Sequence, residues 1–187
     1  MIATNDLWLP DLERYSISLE RRYRQKNWSP SSLHVFEKEV CFGFYAIRRL
    51  IESSSILDRV SGTHIRVMRY PARPGMPKRP DFGRLMKLYD LFHGERKHLS
   101  LRCLCNQFVH SRVFSPFIPV GKELVGIYFG SDESSATELY YLQLVDIVSV
   151  FQSVVLNRAV KLRLKMREHP SSMSVDLPSI SGRRPSK

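Results

Sequence analysis

The chain has 187 residues, 43% of them hydrophobic, and its 29 Lys and Arg against 18 Asp and Glu give a formal net charge of +11. That length fits one domain, and the apolar content, with 10 Phe, 8 Tyr and 2 Trp, excludes a wholly disordered chain. The charge favours an anionic partner, nucleic acid first and a membrane surface second, although basic loops serving solubility explain it equally well.

In chain order, the first ten residues include Asp6 and Pro10 and hold no long apolar run, unlike a signal peptide. Pro10 suits a helix's first turn. Leu12, Tyr15, Leu19 and Tyr23 predict a helix over about Asp11–Lys26, with Arg21, Arg22, Arg24 and Lys26 against the negative end of its dipole. Ser29–Ser32 reads as a break rich in capping residues. Leu33, Phe36, Val40, Phe44, Ile47 and Ile51 then recur at helical steps, the clearest amphipathic pattern in the chain. Glu37 and Glu39 sit early in that helix and Arg48 and Arg49 late, matching its dipole; it fades in Ser53–Ser55 or continues to about Val60. Thr63–Tyr70 suggests one short strand, and four prolines with Gly75 exclude regular structure from Pro71–Pro80. Asp81 as a cap before Phe82, Leu85, Tyr89 and Phe92 predicts a helix over Phe82–Phe92, followed by a polar bend at Gly94–His98.

Leu99–Phe114 is the central stretch. Leu101, Leu104, Cys105 and Phe108 form an apolar helical face, while Arg102, Asn106 and His110, four residues apart, form a polar stripe well round from it. Ser115 and Pro116 end this predicted helix. Phe117–Val120 and Leu124–Phe129 suggest a small hairpin, and Gly130–Ser135 a loop. A last helix is expected from Ala136 or Thr137 to about Met166. Its Leu139–Leu156 segment is interrupted by Gln143, Asp146, Ser149, Gln152 and Ser153, so a buried core helix is expected rather than a membrane span. Residues 169–187 are Ser- and Pro-rich and read as a disordered tail. The fold class that follows is mainly α: a single domain over 1–168, an antiparallel four- to five-helix bundle with a small β-hairpin insertion.

Chemistry is sparse outside the central stretch. His93, His98, Cys103, Cys105 and His110 are dense in sequence, yet Cys103 and Cys105 point about 200° apart on one helix and no Cys-x-x-Cys pair exists, so no metal site is expected. No Gly-rich phosphate loop or nucleophile elbow occurs. Basic residues cluster at Arg21–Lys26, Arg66–Lys87 and Arg158–Arg167. In the last cluster Arg158, Lys161 and Lys165 share a face suited to phosphates, or simply oppose the helix dipole.

A helical bundle with a late Arg-polar-x-x-x-His helix resembles the HEPN superfamily, and Cys105-Asn106-Gln107-Phe108-Val109-His110 is the matching segment. The resemblance implies a homodimeric, metal-independent endoribonuclease. Its imidazole and guanidinium would assist attack by the RNA's own 2′-hydroxyl on the adjacent phosphate. Asn106 and His110 take the polar and histidine positions, but the arginine position holds Cys105, which cannot supply a fixed positive fork. Arg102 is the substitute. It lies about 12 Å before His110 along the helix, so only an antiparallel second copy would bring the two together. The plainer account is that Asn106 and His110 hydrogen-bond each other or cap a neighbouring loop.

The function expected from sequence is therefore RNA binding. His110, Asn106 and Arg102 are the candidates for cleavage, and Arg158, Lys161 and Lys165 the candidate nucleic-acid contacts. The alternative is a non-catalytic interaction module using the central helix as a dimer or partner surface. No cofactor and no membrane insertion are expected, and the odd set Cys41, Cys103 and Cys105 suggests a reducing, cytoplasmic setting.

Overall fold

The computed structural model describes residues 8–53, 58–75, 77, 81–120 and 123–168, with the backbone alone at 58–59, 82 and 158–168. The second helix forms where apolar spacing placed it, whereas the first begins three residues before and ends four before the expected Asp11–Lys26, leaving Arg24 and Lys26 beyond it. α1 (Trp8–Arg22) buries Leu12, Ser16 and Leu19. α2 (Pro30–Glu52) is capped by Ser29, whose side chain accepts from the Ser32 amide at 3.1 Å. A single turn, α3 (Asp58–Ser61), leads into β1 (His64–Pro71).

From there the chain departs from a helical bundle. It builds one five-stranded sheet from β1, β2 (Glu95–Ser100), β3 (Ser111–Phe117), β4 (Gly126–Ser131) and β5 (Glu138–Gln143). The order is β2-β1-β5-β4-β3, with every neighbouring pair antiparallel. The expected mainly α bundle with a small hairpin insertion is thus corrected to a mixed α/β fold: the expected first arm Phe117–Val120 is not a strand beyond Phe117, and β4 pairs instead with Ser111–Phe117, residues expected in the central helix.

Three local patterns account for the correction. β5 is a central strand with Leu139, Tyr140 and Leu142 buried, so both its faces are apolar and its run merges with the helix that follows. That helix, α6 (Leu144–Glu168), starts only where the strand ends. β2 is an edge strand whose Glu95, Arg96, Lys97 and His98 deter further pairing, and those charges read as a bend. The central helix is also shorter than expected: α5 covers only Leu101–Val109, capped by Ser100, and His110 is its C-cap residue. Beyond it, Arg112, Val113 and Phe114 belong to β3, whose Pro116 is tolerated because β3 is the opposite edge.

Val67, Leu99, Ile127, Phe129, Tyr140 and Leu142 project from the sheet into one core shared with α1, α2, α5 and α6. α5 links the two edge strands across this face. Phe108, in the last turn of α5, is stacked between Phe44 at 4.2 Å and Phe129 at 4.5 Å. Gly43 of α2 lets the Phe151 ring of α6 approach, since a Cβ there would lie 2.2 Å from it. The predicted Phe82–Phe92 helix shrinks to a 3-10 turn at Phe82–Arg84 and one α turn, α4 (Leu85–Leu88). Tyr89 leaves the helix to bridge Ala72. This short piece sets Leu85, Leu88 and Tyr89 on Val113 and Leu139, covering one end of the opposite sheet face. Tyr89 is fully buried there and donates its hydroxyl to the Ser135 carbonyl at 2.6 Å. Among the described residues no helix is long and apolar enough to cross a membrane.

Candidate nucleic-acid interface

Strand alternation sends every second residue to the face away from the packed helices. The register lines up Arg96, Met68, Tyr141, Tyr128 and Ser115 in one row across all five strands. His98, Arg66, Gly126 and Phe117 stand beside that row; the α4 segment packs against Tyr128 at one end, while Arg66, Arg96 and His98 at the other end are exposed. Four strand spacings make the platform about 19 Å wide.

Its middle is aromatic. Tyr128 and Tyr141 have ring centroids 5.0 Å apart, and Phe117, 40% exposed, lies 5.7 Å from the first and 6.2 Å from the second. Tyr70 joins Tyr128 at 5.9 Å. Gly126 has a steric role, because a Cβ there would meet the Tyr141 hydroxyl at 2.6 Å and the Leu142 carbonyl at 2.5 Å. Burial pushes the Tyr141 phenol up to about 12, helped by Tyr128, Tyr70 and Asp146, and raises Tyr128 and Tyr70 as well. All three rings therefore remain neutral hydroxyl donors at neutral pH.

The basic groups flank the rings. Arg66 on β1 and Arg96 on β2 are exposed, and among the described residues neither is held in an ion pair. They line a cavity of about 220 Å³ with Met68, Tyr141, Gln143 and Asp146. A second, more apolar groove of about 490 Å³ runs between Met86, Leu91, Phe92, Phe117 and Tyr128, with Arg84 and Lys87 also lining it.

The helix side of the same strands holds an ionic clasp. The Glu138 carboxylate on β5 accepts from Arg69 of β1, from Tyr140 and, at 3.0 Å, from Lys97 of β2. Arg69 also donates to Glu95 at 2.8 Å. The clasp fastens β2, β1 and β5, the strands that carry Arg96, Arg66 and Tyr141 on the other face.

The central helix arranges its residues differently from the sequence expectation. His110 is exposed at the C-cap of α5, where its amide bonds the Asn106 carbonyl at 3.0 Å. Its Nε2 lies 3.5 Å from Nη1 of Arg48, a residue that sequence reading treated only as a dipole partner. The guanidinium beside the imidazole thus comes from α2 of the same chain, and no second copy is needed to supply it. Arg48 also donates to Glu52 at 2.9 Å. Asn106 Oδ1 is buried without a hydrogen-bond partner among the described residues, so the expected Asn106–His110 side-chain bond is not what holds it. Arg102 is exposed in the first turn of α5, away from His110. Gln107, passed over in sequence, ties α5 to β4 by accepting from the Ser131 amide at 3.0 Å and the Ser134 hydroxyl at 2.7 Å. Burial pushes the Cys105 thiol up to about 12, against opposing pulls from Arg48 and Arg102, so it is a core residue and not a nucleophile.

Arg158, Lys161 and Lys165 lie on the α6 backbone, but their side chains fall outside the described residues, as does the tail 169–187. Among the described residues no group of three His, Cys, Asp or Glu side chains is placed to hold a metal ion. Sequence reading picked out Arg66 and Tyr70 as part of a basic cluster and missed Arg96, Tyr128 and Tyr141. The period-two alternation Arg66-x-Met68-x-Tyr70 and Arg96-x-His98 was the available signal. Comparison of the chain with family models, with curated proteins and with solved structures returned no match.

Proposed function

We propose that this chain binds single-stranded RNA across the outer face of its sheet. The observation that carries the reading is the row of Tyr141 and Tyr128 beside Phe117, flanked by Arg66 and Arg96, on the sheet face opposite α1, α2, α5 and α6. Antiparallel sheets bearing such rings stack about two or three unpaired bases, and a net charge of +11 supplies the attraction for the backbone. The neutral phenols add donors suited to 2′-hydroxyls. A reducing cytoplasmic setting accords with this role.

The test is fluorescence anisotropy of a labelled U-rich 10-mer over a salt series. Tyr141→Ala should weaken binding by roughly 5- to 150-fold, the worth of one stacked base. Arg66→Ala with Arg96→Ala should lower affinity and make it less sensitive to salt, since two positive charges beside the rings are lost. Unchanged affinity in both variants refutes the platform.

A second reading rests on the 3.5 Å approach of Arg48 to His110. It is HEPN-like, metal-independent cleavage of RNA, with His110 taking the 2′-hydroxyl proton and Arg48 stabilising charge on the phosphate. Glu52 already engages Arg48, which ranks this reading below binding. Cleavage that persists in EDTA, leaves 2′,3′-cyclic phosphate ends and disappears in His110→Ala would support it; intact RNA with the wild-type chain would remove it. The homodimer is proposed only as an accompaniment to cleavage. The non-catalytic alternative ranks last, because α5 buries Leu101, Leu104, Cys105 and Phe108 and offers a partner little beyond Arg102.

A further inference from the structure

We propose, resting on the RNA-binding reading, that the cavity between Arg66, Arg96, Tyr141, Gln143 and Asp146 is a subsite for guanine. Its volume of about 220 Å³ lies below the roughly 300–1,000 Å³ of sites for drug-sized molecules and suits a single nucleobase. Two guanidinium groups alone would describe a phosphate site. The carboxylate among them argues otherwise, since it would repel a phosphate and leave its own acceptors unused.

Asp146 stands in the first turn of α6, half-buried, and among the described residues no donor hydrogen-bonds its carboxylate. Burial pushes its pKa up, and the attraction of Arg66 only partly opposes this. Both oxygens of that carboxylate are thus open to donors from a ligand. If it served only the helix dipole, it would gain by full hydration.

Guanine matches this set better than the other RNA bases. Its Watson–Crick edge presents two adjacent donors, N1–H and the N2 amine, which meet both oxygens of one carboxylate. Its O6 and N7 are the acceptors that an arginine fork takes in pairs. Adenine, cytosine and uracil would each turn an acceptor toward the carboxylate. The Tyr141 ring, in the cavity wall and in contact with Tyr128, provides a surface for the base plane. Gln143 adds an amide that can donate or accept at the rim. The subsite lies beside the aromatic row, so a strand stacked on Tyr128 and Phe117 would reach it with an adjoining nucleotide.

The experiment compares a labelled U8 with the same oligomer carrying one central guanine, adenine, cytosine or inosine. The wild-type chain should favour the guanine oligomer by roughly tenfold or more. Inosine, which lacks the N2 amine, should lose most of that gain. Asp146→Asn should abolish the preference while U8 affinity stays the same or rises. The same variant should melt at or above the wild-type temperature, because it removes a half-buried carboxylate that lacks a donor, and this separates lost reading from lost folding. Equal binding of guanine and adenine oligomers with U8 binding retained overturns the guanine subsite and leaves the platform standing. A preference that survives in Asp146→Asn overturns the role of the carboxylate. No binding of any oligomer takes down both readings.

Discussion

Replacing Glu138 with Gln tests the frame on which the interface stands. Its side chain is 15% exposed and its carboxylate receives Arg69, Tyr140 and Lys97, which come from β1, β5 and β2. Glutamine keeps the shape but turns one acceptor into a donor facing two cations. Removing one member of a fully buried ion pair costs about 3–5 kcal/mol. Here the figure is lower, because Arg69 and Lys97 are 32% and 40% exposed and Arg69 keeps Glu95. Rehydration of those cations brings the expected loss to about 1.5–3 kcal/mol. In a domain of this size each kcal/mol moves Tm by about 2–4 °C, so the variant should melt roughly 3–12 °C lower at neutral pH. Burial pushes the Glu138 carboxyl up, but hydrogen bonds from Tyr140, Arg69 and Lys97 outweigh it and hold the carboxyl below its ordinary value. A depressed folded pKa means stability that is present above the unfolded value of about 4.3 and lost as pH falls through the folded one. Thermal melts followed by circular dichroism should therefore show the gap between wild type and variant at pH 7 closing as the pH falls below about 4. Coincident melts at pH 7, or a gap that persists undiminished to pH 2, would refute the clasp. RNA affinity should fall with the same variant, since the clasped strands set the spacing of Arg96, Arg66 and Tyr141.

In the core, Phe108→Ala should destabilise by about 3–5 kcal/mol and Leu104→Ala by about 2–5 kcal/mol, read from denaturation midpoints, because both side chains are buried under α2. Arg102→Ala should change the midpoint by less than about 0.5 kcal/mol, since the residue is exposed. The reverse order would mean that α5 faces the other way.

Some of this protein was legible in its residues alone. The spacing of Leu33, Phe36, Val40, Phe44, Ile47 and Ile51 marked α2, and Leu101, Leu104, Cys105 and Phe108 marked the buried face of α5, because a 3.6-residue period is local information. The short strand expected within Thr63–Tyr70 forms as β1, His64–Pro71. What tertiary structure decided was the sheet. β5 buries Leu139 on one face and Tyr140 and Leu142 on the other and so lost its apolar alternation, and the Arg96-x-His98 alternation of β2 is masked by a run of edge charges that imitates a bend. The proposed interface depends on that non-local pairing. Tyr141 meets Tyr128, and Arg66 meets Asp146 and Arg96 in one cavity, only after β2, β1, β5 and β4 lie side by side. Arg48 likewise reaches His110, 62 residues later, only because α2 packs along α5. A sequence carries the periodicity of each element, whereas the juxtaposition of side chains from distant elements follows from which surfaces bury one another.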